Sequence, residues 1–237
     1  GFHNQWAGPM RQHGTSCGRG TMYETADDGT YKAVFPDNWR DCFAWEYAAI
    51  WEDYSAPSQA QNDSDLLGSD AAFASGNVAM SQSHLWYTCC LEDSEWDAGA
   101  LPSYNGEVTA RLHADTFRMI NTTKHPEEAF VVLEYLTGEA AVDLLTVYGG
   151  LPARPADQPE FYARLDEKYP QGVNWGVATK GLEFPEIPSH EEWLPNSIKA
   201  NERLDNFWSL LWNTPGLNLD AEIETLLADL DVIYNEE

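Results

Sequence analysis

The chain has 237 residues, 39 of them acidic and 13 basic, for a formal net charge of −26; it is long enough for one large or two small domains with a sizeable core. The acidic excess is spread along the sequence, which describes a solvated surface that repels nucleic acid and anionic membranes. No run approaches the roughly 18 apolar residues of a membrane span, so direct membrane insertion is excluded along with nucleic acid.

The opening Gly1-Phe2-His3-Asn4-Gln5-Trp6 carries no initiator Met and no basic-plus-apolar leader, and reads as a mature or partial chain. Residues 1–35 are rich in glycine and polar groups, with Asp27-Asp28-Gly29 as a turn ahead of a strand at 31–35. Pro36-Asp37 starts a helix running to Asp53, with Asp37 as N-cap and Cys42, Phe43, Tyr47, Ile50 and Trp51 on one face. A polar loop at 55–64 leads to a helix at 65–73. The turn Ser75-Gly76-Asn77 then opens a buried strand at 78–80, which exits through Ser81, Gln82, Ser83 and His84 to Leu85-Trp86-Tyr87.

Residues 97–102 read as an edge strand stopped by Pro102, and 104–111 as a connection carrying Asn105-Gly106. His125-Pro126-Glu127-Glu128 gives the clearest helix start, with Ala129, Phe130, Val132, Leu133 and Leu136 as its buried face and Gly138 as its end. A second helix over 139–147 closes at Gly149-Gly150. Residues 160–168 and 198–212 read as helical, and so do 219–234, capped by Asp220 and lined by Leu219, Ile223, Leu226, Leu227, Leu230 and Ile233. Short strands alternating with helices argue for an α/β architecture.

Cys17, Cys42, Cys89 and Cys90 match no zinc spacing. An even count allows up to two disulfides in an exported protein, although adjacent Cys89 and Cys90 pair with difficulty. Ten tryptophans and eleven tyrosines bring the aromatic content to 13%. Trp6, Trp86, Trp175 and Trp193 lie in polar, turn-rich stretches that suit stacking on a ligand, whereas Trp208 has the helical spacing of a core residue.

The ordered landmarks F-x-x-G-N-V-A-M (73–80), Trp86 six residues on, D-A-G-A-L-P (97–102), T-K-H-P-E-E-A-F-x-x-L-E-Y-L (123–136), G-G-L-P-A-R (149–154) and F-W-S-L-L (207–211) resemble the extracellular solute-binding proteins of ABC sugar importers, the maltose-binding-protein-like group. No single motif is specific; their order and spacing carry the likeness. The resemblance implies a two-lobe periplasmic-binding-protein-like fold from which most of the first lobe is missing. Residues 1–112 would be a second-lobe segment with a crossing, 113–150 the return segment of the first lobe, and 151–237 a crossing and the final second-lobe segment.

It also implies a non-enzymatic protein, periplasmic or extracellular, or held by lipid through a missing N-terminus. Such a protein captures a sugar or oligosaccharide between its lobes and hands it to the membrane subunits of an importer, as a monomer and without cofactor or metal. Sugar hydroxyls need directional hydrogen bonds and sugar C–H faces need flat rings. Trp86 takes the place of the family's stacking aromatic. The other candidates are Asn4, Trp6, His84, Asp115, Arg154, Trp175 and Trp193, with Gly149 and Gly150 as a close-approach or turn element. The alternative is a glycosidase with paired carboxylates. With 39 acids in the chain the mere availability of carboxylates decides nothing, and no GxSxG or HExxH motif is present.

Overall fold

A computed structural model describes residues 1–4, 18, 20–68, 72–91, 94–109, 112, 114–185 and 194–236, of whose first stretch residues 3 and 4 are described in backbone alone. Among the described residues the architecture is mixed helix and sheet, 50% helical and 6% strand. The chain divides into two compact units, the first made of Gly1–Ser83, Leu101–Arg111 and Gly181–Glu237, the second of His84–Ala100 and Leu112–Lys180. These boundaries do not coincide with the expected segments 1–112, 113–150 and 151–237.

Unit 1 begins with β1 (Phe2–Asn4), followed by a hairpin of β2 (Tyr23–Thr25) and β3 (Tyr31–Ala33). The hairpin turn forms because Asp28 Oδ1 accepts from the Thr30 amide at 3.0 Å and the Thr30 hydroxyl at 2.7 Å, while Gly29 takes φ +86°. These hydrogen bonds hold the Asp28 carboxyl below the usual carboxylate range. Helix α1 (Asp37–Trp51) follows, and its N-cap is Pro36 in extended conformation rather than Asp37. Asp37 sits instead in the first turn, where its charge faces the positive end of the helix dipole. Trp39, Phe43, Glu46, Ala49 and Ile50 are the buried face, rotated by part of a turn from the expected set.

After the short α2 (Gln59–Asn62), residues 65–67 form a single 3-10 turn where a longer helix was expected. Strand β4 is Met80–Gln82, two residues later than predicted, and pairs in parallel with β1 in the register Phe2–Met80, His3–Ser81 and Asn4–Gln82. Val78 packs instead with Leu67 and Ala72 in a small cluster. Residues 97–102, expected as an edge strand, have no regular structure.

The core of unit 1 is closed by the last two helices of the chain, α7 (Ser197–Asn213) and α8 (Leu219–Tyr234). Leu204, Phe207 and Leu211 meet Ile223, Leu226 and Leu230, with Phe35 and Phe43 on the other side. Phe35 stacks on Phe43 at 5.3 Å, and Phe43 meets Phe207 edge-on at 5.5 Å. Asn218 caps α8 by accepting from the Ala221 amide at 3.2 Å, in the role expected of Asp220. Asn235, just past the other end, clamps Tyr31 by accepting from its amide at 3.0 Å and donating to its carbonyl at 2.7 Å.

Unit 2 holds a 3-10 helix (Leu85–Cys90), α3 (Pro126–Thr137), α4 (Ala141–Tyr148), a 3-10 turn (Pro155–Asp157), α5 (Gln158–Lys168) and the start of α6 (Gly176–Gly181). Its core gathers Phe161, Leu165, Tyr169, Val173 and Trp175, with Trp96, Leu145 and Leu151 packed against it. Helix α3 starts and stops where the sequence places it, with Pro126 in the first turn and Gly138 at the C-cap, whereas α4 starts two residues later than expected and ends at the expected stop, Gly149. Neither has a buried residue. Phe130, expected in the buried face, is 53% exposed and Val132 55%. Among the described residues, no helix is long and apolar enough to cross a membrane.

Candidate functional site

Seven of the sequence-predicted candidates fall in unit 2, and three of them meet around the 3-10 helix Leu85–Cys90. His84 is its N-cap residue, in extended conformation, and Trp86 is in its first turn. The two rings lie nearly parallel, 5.7 Å apart with 19° between their planes, while Tyr87 meets Trp86 edge-on. Tyr87 is fully buried; Trp86 is half-buried. The local reason is 3-10 geometry: with three residues per turn, neighbouring side chains point to different sides, so Tyr87 enters the core and Trp86 does not.

Gly149 joins this group through packing. It ends α4 at φ +87°, a left-handed conformation that favours glycine. A Cβ there would lie 2.7 Å from Thr88 Oγ1, 2.9 Å from the Trp86 Cα and 3.1 Å from the Leu85 carbonyl oxygen. Glycine at 149 thus serves a helix stop and the close approach of the 3-10 helix. A Cβ on Gly150 would meet the Tyr148 ring at 3.0 Å and Leu145 at 3.1 Å. Both glycines are therefore occupied by turn and packing roles.

Asp115 is exposed and accepts a hydrogen bond from the Tyr148 hydroxyl. The Tyr148 phenol is pushed above its ordinary value first by desolvation, then by the hydrogen bond to Asp115, and further by the charges of Asp115 and Cys89. Arg154 is exposed at the entry to the turn Pro155–Asp157 and forms no ion pair with a described residue. Trp175 is 6% exposed, its Nε1 donating to Asp166 Oδ1 at 2.9 Å and its ring packed against Trp96 and Tyr169. That ring is spent on the core of unit 2 and has no open face for a ligand.

Asn4 is in unit 1, the last residue of β1 and opposite Gln82. Trp6 and Trp193 lie outside the described residues. Trp208 packs on the unit 1 core beside Trp212, the ring centroids 5.1 Å apart, as its helical spacing predicts.

Sequence reasoning missed Tyr148 and Thr88. Thr88 is buried, and its carbonyl accepts from the Tyr169 hydroxyl, which ties the 3-10 helix to the unit 2 core. Nothing in the spacing around either residue marks it; only the turn at Gly149 brings them together. In unit 1, Ser81 Oγ is buried with no hydrogen-bond partner among the described residues.

A shallow apolar depression in unit 1, without room to enclose a water molecule, is lined by Phe2, Trp45, Glu46, Ala49, Ala56, Pro57 and Trp212. It holds none of the candidates. Among the described residues, no group of three or more His, Cys, Asp and Glu is placed to hold a metal ion. No protein-family model and no curated protein matches this chain.

Proposed function

We propose that this chain is part of an extracellular or periplasmic solute-binding protein that captures a sugar or oligosaccharide and delivers it to an ABC importer. The observation that carries the reading is Trp86, a half-buried ring set nearly parallel to His84 at the start of a 3-10 helix. A sugar stacks its C–H face on such an indole with His84 beside it to meet a hydroxyl, and Asp115 and Arg154 are further exposed polar groups of the same unit.

Two further features support it. Helices α3 and α4 expose Phe130, Val131, Val132, Tyr135 and Val147, and the reading assigns that apolar face to the remaining elements of the first lobe. Cys42 is disulfide-bonded, as befits an oxidising compartment outside the cytosol. The proposed role is binding without chemistry.

Thermal-shift titration of the full-length protein with a panel of mono- and oligosaccharides tests this, with reducing ends assayed before and after. At least one sugar should raise the melting temperature saturably and be recovered unchanged. A panel without any stabilising sugar, or release of new reducing ends at enzyme-like rates, overturns the reading.

A further inference from the structure

The 3-10 helix Leu85–Cys90 ends in two adjacent cysteines, both exposed, with their sulfur atoms 3.1 Å apart. That separation exceeds a disulfide bond by only about 1 Å, so a local change in the side chains and the 89–90 backbone brings the sulfurs to bonding distance. Adjacent residues are an awkward pair on general grounds. Their Cα atoms are held about 3.8 Å apart by a trans peptide, shorter than the usual 4.4–6.8 Å across a disulfide. The consequence is a strained ring that forms under oxidation and reopens readily, as strained and exposed disulfides do. The same chain carries a disulfide at Cys42, so the pair belongs to a molecule that meets oxidants.

We propose that Cys89 and Cys90 are a redox-active dithiol that closes to a vicinal disulfide by exchange with a small neutral or cationic disulfide. One thiolate attacks a sulfur of the small disulfide R–S–S–R, forming a mixed disulfide and releasing one R–S⁻. The neighbouring thiolate then attacks the protein sulfur of that mixed disulfide, forms the Cys89–Cys90 bond and releases the second R–S⁻. The protein gives up two electrons and two protons, and R–S–S–R becomes two R–SH. The class of co-reactant follows from charge: a chain of net charge −26 slows the approach of an anionic disulfide and speeds that of a cation.

Closure is felt inside unit 2. The last turn of the helix is held by the Leu91 amide donating to the Thr88 carbonyl at 3.1 Å, and the same carbonyl accepts from the buried Tyr169 hydroxyl. The eight-membered ring changes the backbone between Thr88 and Leu91, so the first of these bonds opens. Gly149 is packed against this helix at Leu85, Trp86 and Thr88.

The test uses the whole chain, reduced gently so that Cys42 stays bonded, then exposed to cystamine or to oxidised glutathione, quenched by alkylation and mapped by tandem mass spectrometry. The peptide spanning 89–90 should lose two hydrogens and take no alkyl group, with the closed form about tenfold over the doubly adducted form because the second thiol is intramolecular. Cystamine should react about tenfold faster than oxidised glutathione at low salt, with the gap shrinking at high salt. Cys90→Ser should trap one cysteamine on Cys89 as a mixed disulfide, the other being released, and in the unsubstituted chain hydrogen exchange at the Leu91 amide should rise on closure. Separate adducts on both cysteines, or disulfide-linked dimers through them, overturn the proposal. Equal rates for the two reagents at low salt overturn the assigned co-reactant class. Should Cys90→Ser fail to fold, the peptide map of the native chain decides by itself.

Discussion

Helix α8 in unit 1 and helix α3 in unit 2 carry the same kind of apolar periodicity and reach opposite fates. Helix α8 buries Ile223, Leu226, Leu230, Ile233 and Tyr234 against α1 and α7. Helix α3 offers Phe130, Val131, Val132 and Tyr135 and buries none of them. An apolar stripe states what a helix can bury; whether it does depends on a partner surface. In unit 1 that partner is assembled from residues about 200 positions apart in sequence, as the Tyr31–Asn235 clamp shows.

The largest expected effect breaks the comparison at its centre. Phe207→Ala, in the middle of the unit 1 core, should cost about 3–5 kcal/mol of stability through a cavity, whereas Phe130→Ala should stay within about 0.5 kcal/mol, as surface changes do. Urea denaturation of both variants of the 237-residue chain by itself checks this; a Phe130→Ala loss as large as that of Phe207→Ala would mean that α3 is covered within this chain.

Gly149→Ala comes next. It forces a side chain into a left-handed position and against Thr88 and the Trp86 backbone, and should cost about 1–3 kcal/mol, read as a lower denaturation midpoint. Asn218→Ala removes the α8 cap and should cost about 1 kcal/mol, again in urea. The smallest effect is a pH dependence. The Tyr148 phenol sits above its ordinary 10.0, so its contribution to stability is whole below that value and is lost as pH rises through the raised one. Tyr148→Phe should flatten the alkaline fall of the midpoint, measured between about pH 9 and about pH 11, and lower the neutral-pH midpoint slightly through the lost hydrogen bond to Asp115.

The helices were legible because their signals are local: Pro126 at the start of α3, Gly138 and Gly149 at helix ends, and the 3.6-residue period of α8. Burial was not legible, since Phe130 and Phe207 look alike until the packing is known. Strand β4 slid by two residues because its register is set by β1, a three-residue partner far off in sequence, and not by the hydrophobicity of Val78. Trp175 stands in a polar, irregular stretch that reads as ligand-facing. Its placement was decided by Trp96, Tyr169 and Asp166, which no local pattern around residue 175 reveals. The strand exit to Trp86 was legible as a polar-to-aromatic switch. The packing of Gly149 and Thr88 behind it was not, because it joins segments some sixty residues apart.

The central claim is that Trp86 is a sugar platform, and calorimetric titration of wild-type and Trp86→Ala full-length protein with a stabilising sugar from the panel tests it most directly. Losing a principal aromatic anchor should weaken binding by about 1–3 kcal/mol, roughly a ten- to hundredfold rise in Kd, with the denaturation midpoint nearly retained. An unchanged Kd accompanied by a stability loss of about 3–5 kcal/mol would show that Trp86 is a packing residue and contradict the account.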